Sequence, residues 1–200
     1  MACHYADGGK PRNVTEKMRL SLVPRSLAWV CILAACASPS IISSARPSQQ
    51  HAPILPELPN AEYPIEFTSS GKAQLKDGVF EEPVAPGVAA RTTIRLGKEQ
   101  AVGDVNGDGA EDAAVTLVVQ PGGSGVFTYL ALVLNDNGRA KPVASVLLGD
   151  RILVKSLAIR PGAVVVTMLT RKPDEPMSAT PTVEVRRIFK LQGNELVEER

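Results

Sequence analysis

The sequence is poor in the residues that most often carry catalysis or cross-links. Its 200 residues include three cysteines, two histidines and one tryptophan. Cys3, Cys31 and Cys36 lie near the N-terminus, and His4 and His51 also precede the part of the chain with strand-like patterns. The remaining sequence therefore has no internal disulfide and no histidine for Ser-His, Cys-His or His-metal chemistry. Stability must come from core packing and, at most, a bound ion.

The sequence also has no large excess of positive or negative charge. The chain has 22 basic and 21 acidic residues, of which five basic and two acidic residues precede Cys36. The part after Cys36 thus has 17 basic and 19 acidic residues. Nucleic-acid binding would require a clustered basic face, which this composition does not offer, so we expect no nucleic-acid partner.

One apolar run, Leu27 to Ala35, stands behind Arg19 and Arg25. The run is far shorter than the roughly 20 residues of a membrane-spanning helix. It fits the apolar region of a secretory signal, which predicts a signal peptide over residues 18–35. Residues 1–17 are polar and match no signal template. We interpret them as a disordered or untranslated leader, with Met18 as the start of the protein.

The run ends in Leu33-Ala34-Ala35-Cys36, which resembles the lipobox of bacterial lipoproteins. The resemblance implies that Cys36 carries the lipid and is the first mature residue. The two residues after Cys36 are Ala37 and Ser38, and neither is an Asp. The resemblance therefore also implies an exported protein anchored in the outer membrane and facing the periplasm. The alternatives are a buried apolar helix and an ordinary secretory signal cut near Ala37.

Residues 36–60 are rich in Ser and Pro and have no sustained helical or strand period. Prolines lack a backbone donor and favour extended conformations, so this segment is predicted to be a semi-rigid tether between lipid and domain. A recognition peptide for a proline-binding partner is the alternative.

Residues 61–200 consist of short apolar or alternating runs separated by Gly, Asn, Asp and Pro turns. Arg91 to Leu96 and Thr182 to Leu191 alternate as half-buried strands do. Ala113 to Val119, Val126 to Asn135 and Ala163 to Leu169 are continuously apolar, as in strands covered on both faces. The prediction is an all-β, mainly antiparallel single domain of about seven to nine strands, in a sandwich, a barrel or a twisted sheet.

One segment of this domain, residues 104–112, has the spacing of a calcium loop. Calcium prefers six to eight oxygen ligands, and oxygen-bearing residues at alternate positions can wrap around it when a glycine permits the sharp turn. Gly109 occupies the glycine position, and Glu111 has the wrong parity to bind. The predicted ligands are Asp104, Asn106, Asp108, the carbonyl of Ala110, and Asp112. The alternative is an Asn, Asp and Gly turn that binds nothing.

The loop resembles the DxDxDG calcium motif of EF-hands, dockerins and integrin-type propeller repeats. Val115 replaces the bidentate glutamate of the EF-hand. Because an apolar strand-like run follows Asp112, the propeller-like version fits better than a helix–loop–helix. A single copy argues against a propeller, which needs several blades.

A wider resemblance covers roughly residues 61–199. Asp77-Gly78, the DxNxDG loop, the Gly122 to Gly125 run, Leu148 to Arg151 and Pro181-Thr182 occur in an order similar to that in a group of uncharacterised bacterial envelope lipoproteins. Members of that group often carry two cysteines before the proline–threonine pair. Here Ser178 and Ala179 stand in that region, so no role of those cysteines transfers.

Two functions remain open at this point. The first is a non-catalytic envelope module, held to the membrane through Cys36, that binds or supports an envelope protein or polysaccharide. The second is an envelope hydrolase using carboxylates such as Asp104, Asp108 and Asp112. We favour the first because a domain without His or Cys has few bases or nucleophiles that titrate near neutral pH. No residue is predicted to be catalytic.

Overall fold

The computed structural model describes residues 52–199. This part contains one short 3₁₀ helix, Leu55–Asn60, and eleven strands. The strands are β1 (Glu62–Pro64), β2 (Lys72–Gln74), β3 (Val79–Pro83), β4 (Arg91–Gly103), β5 (Asp112–Pro121), β6 (Phe127–Asp136), β7 (Arg139–Asp150), β8 (Leu153–Arg160), β9 (Ala163–Thr170), β10 (Val183–Gln192) and β11 (Glu195–Glu199). The all-β class is confirmed. The count exceeds the expected seven to nine because β1, β2 and β11 are too short to produce a clear period.

All strand pairs are antiparallel and form three sheets. The central sheet has the order β3-β4-β5-β6-β7, and a second sheet has the order β11-β10-β9-β8. The third is the β1–β2 hairpin. In the described residues no helix is long and apolar enough to cross a membrane.

The central sheet separates two apolar cores. On β5, Val115, Leu117 and Val119 belong to the core shared with the 3₁₀ helix and the β1–β2 hairpin. Their neighbour Ala114 belongs to the core shared with the second sheet. Since both sets are fully buried, β5 is covered on both faces. β6 behaves in the same way, which explains why both runs are continuously apolar.

The third continuous run is different. In β9, Val164, Val166 and Met168 face the inter-sheet core, whereas Val165 and Leu169 are only partly buried. The expectation that Ala163 to Leu169 is covered on both faces is therefore wrong. In the described part of the chain, no second layer covers the outer face of β9. The β-branched residues on that face favour the strand conformation and are not there to fill a core.

The folded domain begins earlier than predicted. Ile54 is 2% exposed and Leu58 is 0% exposed, and both lie in the core on the first face of the central sheet. The Tyr63 hydroxyl donates to the Leu58 carbonyl at 2.9 Å, which fixes the 3₁₀ helix to the domain. The boundary predicted at residue 61 is thus too late, since the prolines here belong to a packed 3₁₀ helix. Residues 18–35 and Cys36 lie outside the described residues.

The chain passes from the central sheet to the second sheet at Asp150–Arg151. No hairpin forms there, because β7 and β8 lie in different sheets. Arg151 has a positive φ of 48°, and its N–H donates to the Val126 carbonyl at 2.7 Å. The Asp150 carboxylate accepts the Val126 N–H at 2.9 Å. These bonds hold the crossover against the start of β6.

Candidate metal-binding loop

The predicted loop connects β4 to β5, and Gly103 pairs with Asp112 at its base. It therefore joins two strands, as expected from the apolar run after Asp112, and no helix flanks it. Two buried side chains hold it to the domain. Val105 is 4% exposed and packs into the inter-sheet core, and Ala110 is 3% exposed. The polar residues between them are consequently held on a fixed base.

The first predicted ligand, Asp104, organises the turn. Its carboxylate accepts the N–H of Gly107 at 2.6 Å and the N–H of Gly109 at 2.9 Å. Gly109 has a φ of 86°, a conformation that L-residues rarely adopt, which confirms the sharp turn expected there. Gly107 has a φ of 81°, which the motif alone did not reveal.

The middle of the loop is held by short-range polar contacts. The Asn106 side-chain amide donates to Asp108 Oδ2 at 2.8 Å, and its Oδ1 accepts the Asp108 N–H at 3.0 Å. Asp108 Oδ1 in turn accepts the Ala110 N–H at 2.7 Å. The oxygens of Asp104, Asn106 and Asp108 are therefore directed into the same short turn by the backbone that follows each of them.

Asp112 is the most unusual residue of the loop, because its carboxyl group is fully buried. One oxygen accepts the Val105 N–H at 3.0 Å and the other accepts the Asn135 N–H at 2.9 Å. Burial raises the pKa of this carboxyl group, and the two backbone hydrogen bonds oppose that effect. The negative charges of Asp108 and Asp104 raise the pKa further. Asp112 therefore lies close enough to both residues to feel their charge.

The predicted ligands are not fully arranged around a common point. Within residues 52–199, no group of three or more His, Cys, Asp or Glu side chains is gathered around one point as a metal centre requires. The reason is visible at Asp112, where both oxygens point to backbone donors. The donor set is nevertheless of the kind calcium prefers, namely carboxylate, amide and carbonyl oxygens. Closure around an ion would require the carboxylate of Asp112 to turn toward those of Asp104 and Asp108.

Asn135, which the sequence places at the end of the apolar run from Val126, joins three segments. Its side-chain amide donates to the Ala52 carbonyl at 3.1 Å and to the Glu111 carbonyl at 3.2 Å. Its Oδ1 accepts the Gly138 N–H at 2.7 Å. The first described residue of the chain is thus tied to the base of the loop. The one available signal was the position of Asn135 at the end of an apolar run.

Two other places in the described part of the chain gather polar groups. In the first, Tyr129 and Glu66 share a hydrogen bond of 2.6 Å in a groove of about 620 Å³ beside β7. In the second, Arg171 donates from Nε to the Ala179 carbonyl at 2.5 Å and from its other nitrogens to the carbonyls of Asp150 and Arg151. These guanidinium bonds hold a loop to the crossover, which is a structural role.

Neither place supports the hydrolase alternative. The buried carboxyl with a raised pKa, Asp112, belongs to the loop and not to the groove. Both of its oxygens accept backbone N–H groups that join the loop to β6, which is a structural role. Comparison of the chain with protein-family models, with curated proteins and with solved structures gave no match.

Proposed function

We propose that this protein is a non-catalytic, lipid-anchored envelope protein whose β-domain is stabilised by calcium in the loop 104–112. The observation that carries the calcium site is the buried carboxylate of Asp112. It lies near the charges of Asp104 and Asp108 and, within residues 52–199, forms no ion pair with a cationic side chain. A buried carboxylate with two further carboxylates nearby is costly to ionise unless a cation compensates its charge.

The residues that would hold the ion are the five that the spacing indicates. Asp104, Asn106 and Asp108 would contribute side-chain oxygens, Ala110 its carbonyl, and Asp112 a carboxylate oxygen. The ion would neutralise the three carboxylates and hold the β4–β5 connection to the C-terminal end of β6. A calcium site of this kind outside the cytoplasm typically has a dissociation constant of about 10⁻⁴–10⁻³ M, which suits a structural role in the envelope.

Calcium should raise the melting temperature of the whole protein. With a dissociation constant of about 1 mM, about 10 mM calcium adds about 1.4 kcal/mol to the free energy of unfolding. That corresponds to a rise in Tm of about 3–5 °C for a domain of this size. Differential scanning calorimetry of the calcium-free and calcium-loaded protein measures it.

The matched pair of variants for this experiment is Asp108→Asn and Glu111→Gln. Both remove one negative charge from the loop, but only Asp108 is a predicted ligand; Glu111 is exposed. The calcium-dependent shift should disappear in Asp108→Asn and persist in Glu111→Gln. Because the shift is measured within each variant, an overall loss of stability does not mimic the result. An unchanged shift in Asp108→Asn would contradict the assignment.

The lipid anchor is proposed from the lipobox-like residues before Cys36, and it gives a separate test. In a bacterial host, the chain should incorporate a labelled fatty acid and fractionate with membranes. Cys36→Ser should abolish both the label and the membrane association, whereas Cys31→Ser should leave both intact. Incorporation of the label by Cys36→Ser would show that another residue carries the lipid and would contradict the assignment. In that case the domain would bind an envelope protein or a polysaccharide without being anchored through Cys36.

A further inference from the structure

Strand β7 is an edge of the central sheet. It pairs with β6, and no other strand in residues 52–199 pairs with its outer side. Edge strands expose unpaired N–H and C=O groups and can accept another strand. Side chains meet the outer side near both ends of β7. The Ala140 N–H donates to Glu57 at 2.7 Å, and the Leu148 carbonyl accepts from Arg187 at 3.1 Å.

Between those two points, Val143 to Leu147 form the floor of the groove described above. Pro64 to Glu66 and Gly71 line it on the side of the β1–β2 hairpin, and Asn194 lines it from the β10–β11 turn. Five residues of strand span about 16 Å. The Ser145 hydroxyl donates to the Pro64 carbonyl, which ties the floor to one wall. This segment of β7 thus lines a groove framed on both sides, in which Leu147 is 39% exposed and Ala144 is buried.

The strand is interrupted at both ends of the groove. Pro142 cannot donate a hydrogen bond, and register shifts occur at Leu132/Val133 and at Thr128/Tyr129. Prolines and bulges are devices that limit uncontrolled edge pairing. Here they confine an accessible edge to a few residues, which favours a short extended segment as the occupant over a long sheet-to-sheet contact.

The charge of the groove selects the occupant further. Glu66 is the one charged residue among those that line it, and in the described residues it has no ion-pair partner. Tyr129 is 3% exposed as a residue, and its hydroxyl donates to Glu66 Oε1 at 2.6 Å and holds the carboxylate in place. Leu147 adds an apolar surface that is 39% exposed. A positioned carboxylate beside apolar surface fits a cationic side chain within an otherwise apolar strand.

We propose that the groove beside Val143–Leu147 binds an extended peptide segment of another protein by strand addition to β7, with a Lys or Arg of the peptide paired to Glu66. In this recognition mode main-chain hydrogen bonds give affinity and side-chain contacts give specificity. The proposal does not depend on the calcium loop, which lies at the connection between β4 and β5. If the calcium experiment fails, the peptide-binding proposal still stands, and the reverse also holds.

The test begins with selection of linear peptides from a random library against the whole protein. Enriched peptides should contain a Lys or Arg flanked by β-branched or aromatic residues. One such synthetic peptide should shift the amide resonances of residues 143–147 in NMR spectra. Methylation of alternate peptide nitrogens should abolish binding, because strand addition requires those donors.

The matched variants are Glu66→Gln and Glu62→Gln. Glu66→Gln keeps the acceptor for Tyr129 but removes the charge, so the affinity should fall about tenfold or more. Glu62 is an exposed carboxylate on the adjacent β1, paired with Lys72 and outside the groove, so Glu62→Gln should bind as the original protein does. The proposal is overturned if no peptide is enriched over an unrelated protein, if N-methylation has no effect, or if both variants bind equally. A self-associated dimer paired through residues 143–147 would also overturn it.

Discussion

At the scale of single residues, close contacts decide where the chain tolerates change. Gly97 lies where β4 shifts register against β5, between Leu96 and Gln100. A Cβ at this position would overlap the Thr116 hydroxyl and lie 3.0 Å from the Thr116 carbonyl oxygen. The side chain of residue 97 therefore has to be hydrogen for the two strands to approach here.

Gly97→Ala should lower the free energy of unfolding by about 3 kcal/mol, because overpacking against a neighbouring strand forces the backbone to move. Chemical denaturation measures this. The Gly97→Ala/Thr116→Ala double variant should recover only part of the loss, because the backbone contact remains. Gly123→Ala is the control, since its Cβ meets nothing within 4 Å. A Gly97→Ala protein as stable as Gly123→Ala would refute the packing at this position.

The tyrosines give a pH dependence at the same scale. Burial raises the pKa of Tyr63 and of Tyr129 above the ordinary value of 10.0, and for Tyr129 the hydrogen bond to Glu66 and its charge add to the effect. A phenol with a raised folded pKa contributes stability that is complete below the unfolded pKa and is lost as the pH rises through the folded value.

The free energy of unfolding should therefore fall above about pH 10, and the phenolate absorbance of Tyr63 and Tyr129 should appear together with unfolding. Tyr5 lies outside the described residues, so a Tyr5→Phe background isolates the two signals. In Tyr129→Phe, unfolding should release about one proton fewer, so the free energy of unfolding should fall less steeply as the pH rises. Two phenols that ionise reversibly near pH 10 in the folded protein would contradict their burial.

At the scale of elements, long-range polar contacts hold connections that sequence patterns cannot assign. Turn residues at Asp150–Arg151 predict a change of direction, but not whether the next strand returns to the same sheet. The Arg171 guanidinium links this crossover to the loop before β10 through carbonyls of Asp150, Arg151 and Ala179. None of these contacts has a local signature, because the partners are 8 to 21 residues away.

Arg171→Lys should lower the free energy of unfolding by about 2 kcal/mol, because a single ammonium cannot reach all three carbonyls in the geometry of the guanidinium. Hydrogen exchange should also quicken in residues 172–181. Arg160→Lys, an exposed residue at the end of β8, is the control and should change stability by less than about 0.5 kcal/mol. Equal exchange in both variants would show that Arg171 does not hold the loop.

At the scale of the whole molecule, the sequence predicted what depends on local pattern. The half-burial of Arg91 to Leu96 follows from their alternation, and the burial of β5 and β6 on both faces follows from their continuously apolar runs. The continuation of β4 to Gly103 was missed because the bulge breaks that period. The packing of Ile54 and Leu58 was missed because proline-rich composition is shared by extended tethers and by short 3₁₀ helices.

The loop illustrates the same limit. The local sequence predicted the turn, the role of Gly109 and a strand after Asp112, since each depends on neighbouring residues. The burial of Asp112 depends on Asn135, 23 residues later, and the spacing carries no information about it. This long-range burial is what places an anionic group under the turn, and the proposal of a calcium-stabilised domain depends on it.

The most direct measurement is a calcium titration of the protein followed by amide NMR. We expect the resonances of Gly107, Gly109 and Asn135 to shift together along one saturable curve, with a dissociation constant of about 10⁻⁴–10⁻³ M. Asp108→Asn should remove these shifts. Resonances of the loop that stay unchanged at about 10 mM calcium, well above that range, would contradict a calcium site at residues 104–112.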